Sequence, residues 1–226
     1  MGFHWCKVMK FSRLQISIIL AIAVLAWFVV LLVQGTKVSW DHLAPFSTVV
    51  GVLVILLLVV EHYLWRQSWL QKWFVSMPDL RGTWKVVIQS DWVDSETGET
   101  VPPIQCFMGV KQSMSSLQMH LMTPESESWF VAYNVNYAQS GHGYQIAAVY
   151  TNKPNVNLRS NRSSMHLGAL VLETHGENEV IPKSISGEYW TDRKTTGTIV
   201  LTDRDDKLFT RFDDVQKMWL YVKYSG

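Results

Sequence analysis

The alternation of apolar and polar positions changes character twice along this chain of 226 residues. Leu14 to Val33 and Leu43 to Val60 are almost uninterrupted apolar runs of 20 and 18 residues, separated by nine residues from Gln34 to His42. A helix rises about 1.5 Å per residue, so 20 residues reach roughly 30 Å, the thickness of a bilayer hydrocarbon core. The runs predict a two-helix transmembrane hairpin over 14–60, preceded by a short N-terminus over 1–13. From Glu61 to Ser76 apolar residues mix with Arg66, Gln67, Gln71 and Lys72. Trp65, Trp69 and Trp73 recur every four residues on one slowly drifting helical face, and tryptophans favour the headgroup level of a membrane. An interfacial helix and short linker are therefore expected over 61–78, ending near Pro78, which biases the residue before it away from helix. No Gly/Ser tract loosens this connection.

Beyond Pro78 the period becomes two. Thr83–Trp92, Ile104–Met114, Leu117–Thr123, Trp129–Asn136, Tyr144–Asn152, Met165–Thr174, Ser184–Thr191 and Gly197–Thr202 read as eight strands. In the first, Trp84, Val86 and Ile88 alternate with Lys85, Val87 and Gln89, a half-buried pattern. Glu96-Thr97-Gly98, Pro102-Pro103, Ser115-Ser116, Gly141-His142-Gly143 and Gly176-Glu177-Asn178 supply turns. Short, evenly spaced strands without intervening helices argue for an antiparallel sandwich or barrel. Eight of them can close into a lipocalin-like up-and-down barrel over 79–226, wide enough for one small ligand or for its own side chains. In the tail, Val215, Met218, Trp219 and Val222 follow Asp213 and Asp214 with helical spacing. An edge strand also fits, and the helix is preferred.

Charge separates the two parts. Residues 1–78 carry a net +4 and residues 79–226 a net −3. A mildly acidic barrel is a poor tracker of a nucleic-acid polymer, because that affinity comes mainly from Lys and Arg on phosphates. A small ligand with one or two phosphates stays open. Lys7, Lys10 and Arg13 precede the first run, Lys37 lies between the runs, and Arg66 and Lys72 follow the second. The positive-inside rule then places both termini in the cytoplasm. Neither run contains an ionisable residue, whereas ion and proton pathways usually do. The runs read as anchors, or as helices that associate when the domain beyond them is switched. Cys6 and Cys106 are too few and too far apart for a disulfide framework or a zinc site.

No nucleophile elbow, Walker loop, zinc-protease motif or dinucleotide fingerprint occurs, so no catalytic residue, metal or cofactor is assigned and the chain is not read as an enzyme. Two stretches could hold a ligand. Asn152 to Ser164 is a long polar connection whose Arg159 and Arg162 could clamp phosphates, although a solvated loop would look the same. Ser186 to Ile199 is a strand, turn and strand. If Ile185 and Gly187 point inward, so do Tyr189 and Thr191, with Arg193 at the mouth and Thr198 on the facing strand. An aromatic ring, a hydroxyl and a guanidinium at one rim can stack a base and hold a phosphate. Trp129 and Tyr150 on neighbouring strands could widen the stacking surface, though packing is an equally good reason for such aromatics.

Leu80-Arg81-Gly82-Thr83-Trp84 is similar to the G-x-W start of lipocalin-type barrels. With the paired apolar runs and the Gly187 to Ile199 hairpin, the chain more closely resembles the membrane-tethered β-barrel effectors of bacterial cyclic-oligonucleotide antiphage (CBASS) systems. The resemblance implies an inner-membrane protein whose cytoplasmic barrel binds a cyclic dinucleotide made by a cGAS-like synthase. It further implies a homo-oligomer whose helices disrupt the lipid bilayer and kill the infected cell. A membrane-anchored lipocalin-like module for a lipid or other apolar ligand is the alternative, and an integral enzyme of lipid or cell-wall metabolism a more distant one.

Overall fold

The computed structural model of the chain describes residues 13–33, 35, 50–51, 54–71, 75, 77–93, 98–139, 141–156, 165–176 and 180–225. Two compact units form, one of residues 1–70 with 113–115 and one of residues 71–112 with 116–226.

In the first unit α1 (Arg13–Val33) is a helix of 21 residues. Helical residues 50–51 and 54–62 form α2. A 3-10 turn at Leu64–Arg66 follows, then the one-turn α3 (Ser68–Gln71). The Glu61 carboxylate accepts hydrogen bonds from the hydroxyls of Ser113 and Ser115, each at 2.6 Å.

The expected transmembrane hairpin, and the two-span inner-membrane placement built on it, are corrected by this structure. Among the described residues no helix is long and apolar enough to cross a membrane. Of the second apolar run, residues 50–51 and 54–60 are described, all of them helical. Residues 36–49, which hold most of the expected loop and the start of that run, lie outside the described residues. The inside assignment of the termini rested on the hairpin and goes with it.

The expected interfacial helix is also interrupted. Gln67 is extended (φ −69°, ψ 133°) between the 3-10 turn and α3, which resets the helical phase. Trp65 is consequently fully buried while Trp69 is 65% exposed. Trp73 lies outside the described residues.

The second unit is an eight-stranded antiparallel barrel: β1 (Gly82–Ser90), β2 (Ile104–Gln112), β3 (Leu117–Met122), β4 (Ser126–Tyr137), β5 (Tyr144–Pro154), β6 (His166–His175), β7 (Ser184–Thr191) and β8 (Thr196–Asp205). Each strand pairs with the next in sequence, and β8 returns to pair with β1 and close the ring. The strands match the sequence expectation closely, apart from β4, which begins at Ser126 and not Trp129, and β8, which continues to Asp205. The tail forms α4 (Phe212–Ser225), with Asp213 and Asp214 in its first turn, where carboxylates complement the helix dipole.

The barrel is filled at one end. Trp84, Met119, Ile146, Leu172, Ile185 and Leu201 point inward there and are almost wholly buried. The Trp84 indole donates to the Leu80 carbonyl at 2.9 Å, satisfying the polar atom of this large buried ring. Beyond that layer the interior is open. The strand that best displays the change is β5, where Tyr144, Ile146, Ala148, Tyr150, Asn152 and Pro154 all face inward. Tyr144, Ile146 and Ala148 lie in the filled half, and Tyr150, Asn152 and Pro154 line the open half.

Candidate functional site

The open half of the barrel is a cavity of about 1060 Å³. Its floor includes Met108, its walls Ile88, Ile104 and Ile199, and its rim Trp92, Pro124, His166 and Arg193. A volume of this size lies at the upper end for small-ligand pockets. Alternation alone places the wall residues: Ile88 stands two positions beyond Val86 in β1, and Ile199 two before Leu201 in β8.

Two tyrosines dominate the polar side of the wall. Tyr150 in β5 lies opposite Gly168 in β6, and Tyr189 in β7 lies opposite Gly197 in β8. In both pairs the ring occupies the space that a side chain on the glycine would need: a Cβ on Gly168 would run into the Tyr150 phenol, and one on Gly197 would come within 2.7 Å of Tyr189 Cε1. The missing side chains let each ring lie against the neighbouring strand. Burial pushes the Tyr150 phenol up to about 12, helped by the proximity of Tyr189 and opposed by the positive charge of Arg193. Burial also raises Tyr189, against a hydrogen bond to Ser90. Both rings are therefore neutral near pH 7, offering a π face and a hydroxyl.

The β7–β8 turn carries the next group. Thr191 N–H donates to the Thr195 carbonyl at 2.9 Å, and the two hydroxyls meet at 2.6 Å. Lys194 takes a left-handed conformation (φ 62°) to make this tight turn. Asp192 ties it to β6, its N–H donating to the Leu167 carbonyl at 3.0 Å and its carboxylate accepting from Leu167 N–H at 3.2 Å. Arg193 thus projects at the mouth from a turn held on two sides. Among the described cavity residues the fixed charges are Arg193 and Glu125.

Four of the residues singled out in the sequence, Tyr150, Tyr189, Thr191 and Arg193, come together on this cavity. Thr198 does not, because in-facing Gly197 and Ile199 flank it and turn it to the exposed outer surface. Trp129 is also outside: Ser128 faces inward, so Trp129 faces out and stacks on His120, with ring centroids 4.9 Å apart. Arg159 and Arg162 lie outside the described residues. Sequence reasoning had Asn152 only as the first residue of the 152–164 stretch and missed Ser126, Ser128 and Thr123; all four line the cavity on the side of β4 and β5. The phase of β5 could have found Asn152, since an inward Tyr150 puts residue 152 inward as well.

Cys106 lies on the inner side of β2, is 1% exposed, and has its thiol pushed up to about 12 by burial. A thiol in that state is a packing group, not a nucleophile.

The family model described as the Cap15 cyclic dinucleotide receptor domain matches residues 75–203. The matched segment takes in every residue of the cavity wall. No curated protein matches the chain.

Proposed function

The chain belongs to the Cap15 cyclic dinucleotide receptor family, and on that premise we propose that it senses a cyclic dinucleotide in the open half of its barrel. The observation that carries this reading is the pair of glycine-seated rings, Tyr150 and Tyr189, in one cavity with Arg193 at its mouth. Flat neutral rings stack bases, and a guanidinium binds phosphate through paired hydrogen bonds. In this reading the nucleotide is bound and not converted, and a cGAS-like synthase of an antiphage system supplies it. A ligand shifts an equilibrium only by its difference in affinity between two states. The nucleotide-bound barrel is accordingly the form that self-associates, and assembly is the signal that leads to death of the infected cell. Disruption of a bilayer by a helix hairpin is not carried forward, since no described helix is long and apolar enough to span one.

Calorimetric titration of the full chain with 3′,3′-cyclic di-AMP, cyclic di-GMP and cyclic di-UMP tests the reading. Saturable binding of at least one is expected, and silence from all three overturns it. Arg193→Ala should weaken the bound nucleotide about 10- to 100-fold, since a hydrogen bond to a charged group contributes about 1.5–3 kcal/mol. Unchanged affinity would remove Arg193 from the site. Light scattering should show a rise in mass on adding nucleotide, and a constant mass would defeat the assembly step.

The apolar walls, with Ile88, Ile104, Leu121, Phe130 and Leu170, favour a second reading in which the barrel holds a lipid or other apolar molecule. That reading predicts a hydrophobic compound in a solvent extract of the purified protein and indifference to Arg193→Ala.

A further inference from the structure

Asn152, Ser126 and Ser128 form a polar cluster on an otherwise mainly apolar wall. Ser128 stands directly opposite Asn152 in the β4–β5 ladder. The Asn152 Nδ2 group donates to Ser126 Oγ at 3.0 Å and to Ser128 Oγ at 2.8 Å. Thr123 Oγ1 accepts from the Ser126 N–H at 2.8 Å and lies 3.1 Å from the Ser126 hydroxyl, which ties Ser126 in place. An amide side chain has two N–H donors and one carbonyl oxygen. Both donors are spent on serines, and among the described residues no protein donor is recorded on Oδ1. A carbonyl acceptor held from behind is thus presented to the cavity.

Such an acceptor repels phosphate and calls for an N–H. Asn152 is only 8% exposed, so its oxygen is recessed in the wall. An amine projecting from a ring edge can reach a recessed acceptor. A ring N–H flanked by carbonyl oxygens, as in uracil, would press a second acceptor against it. Adenine, guanine and cytosine carry exocyclic amines and uracil does not. We infer that Asn152 Oδ1, oriented by the contacts of its amide nitrogen with Ser126 and Ser128, is a base-edge subsite that selects a cyclic dinucleotide carrying an exocyclic amine. The inference rests on the receptor reading above and adds to it a preference in base chemistry and a direction of binding. One base edge lies against the β4–β5 wall, and a phosphate lies toward Arg193.

The test crosses an edited ligand with an edited residue, so that the pairwise term is isolated. The full chain is titrated with cyclic di-AMP and its analogue bearing purine without the 6-amine, and with cyclic di-GMP and cyclic di-IMP, which lacks the 2-amine. For the amine-bearing ligand that binds, loss of the amine should weaken wild type at least 10-fold and Asn152→Val less than 2-fold. Asn152→Asp, isosteric and still an acceptor, should keep the amine dependence, and thermal melts establish that both variants fold. Equal losses in wild type and Asn152→Val, or binding of cyclic di-UMP alone, would overturn the subsite and leave the receptor standing. No binding of any cyclic dinucleotide to wild type would instead mean that the receptor reading itself has failed.

Discussion

At the scale of single residues, the Asp79 carboxylate accepts from the Arg81 backbone N–H at 3.2 Å and from its guanidinium at 2.9 and 2.7 Å, just before β1. Burial works to raise this carboxyl, but the hydrogen bonds and charge of Arg81, with the charge of Arg204, outweigh it and hold the group below its ordinary value. A carboxyl depressed in the folded state contributes stability above its unfolded pKa of about 3.9 and loses it as pH falls through the folded value. Asp79→Asn should therefore cost about 1–3 kcal/mol at neutral pH, and urea melts should show that gap closing below about pH 4. Gly168 has a different role, since a methyl group there displaces the Tyr150 ring. Gly168→Ala should destabilise the barrel by about 1–3 kcal/mol through overpacking and weaken nucleotide binding at least about 10-fold. The double variant Gly168→Ala/Tyr150→Ala should regain stability without regaining affinity, as read by thermal melts and calorimetry. Neither effect was legible in the sequence. Tyr150 could be singled out as an aromatic on a strand, but its dependence on Gly168 exists only once β5 and β6 are in register.

At the scale of elements, the eight strands were readable because alternation and turn residues agree along most of 82–205. The outward placement of Trp129 follows from a strand boundary. Placing the start of β4 at Ser126 shows that Ser126 and Ser128 face in, which turns Trp129 out; the bulge between Phe130 and Ala132 then shifts the phase farther along the strand. No single residue in that stretch announces the bulge. The tail was ambiguous for the opposite reason, that its apolar residues fit two periods, and packing decides between them. Trp219 of α4 stacks on Phe107 of β2 with centroids 5.1 Å apart and interplanar angle 7°, while Lys85 sits 5.3 Å from the Trp219 ring centroid. Phe212, at the start of the helix, also meets Phe107, with ring centroids 5.3 Å apart. Trp219→Ala should lower stability by about 1–2 kcal/mol in a thermal melt. Because Phe107 and Lys85 do not line the cavity, nucleotide affinity should stay within about 2-fold of wild type.

At the scale of the whole molecule, composition separated an apolar N-terminal part from a mildly acidic barrel, and the two units divide near that boundary. It could not decide what the apolar part does, because length and hydropathy report what a segment tolerates and not how it is folded. The candidate site was half legible. Its aromatic and cationic members, Tyr189 and Arg193, stand out by residue type. Its neutral polar members, Asn152 and the serines, look like ordinary loop residues until the barrel closes around them. The manner of closing has a kinetic side. Seven of the eight ladders are hairpins between neighbours in sequence, which pair early because little chain must be ordered to join them. The seam between β1 and β8, with Val86 opposite Leu201, joins the two ends of the domain. Until that seam forms there is a curved sheet and no cavity. The cavity therefore exists only while that seam is paired, and two of its wall residues, Ile88 and Ile199, stand directly opposite each other across it.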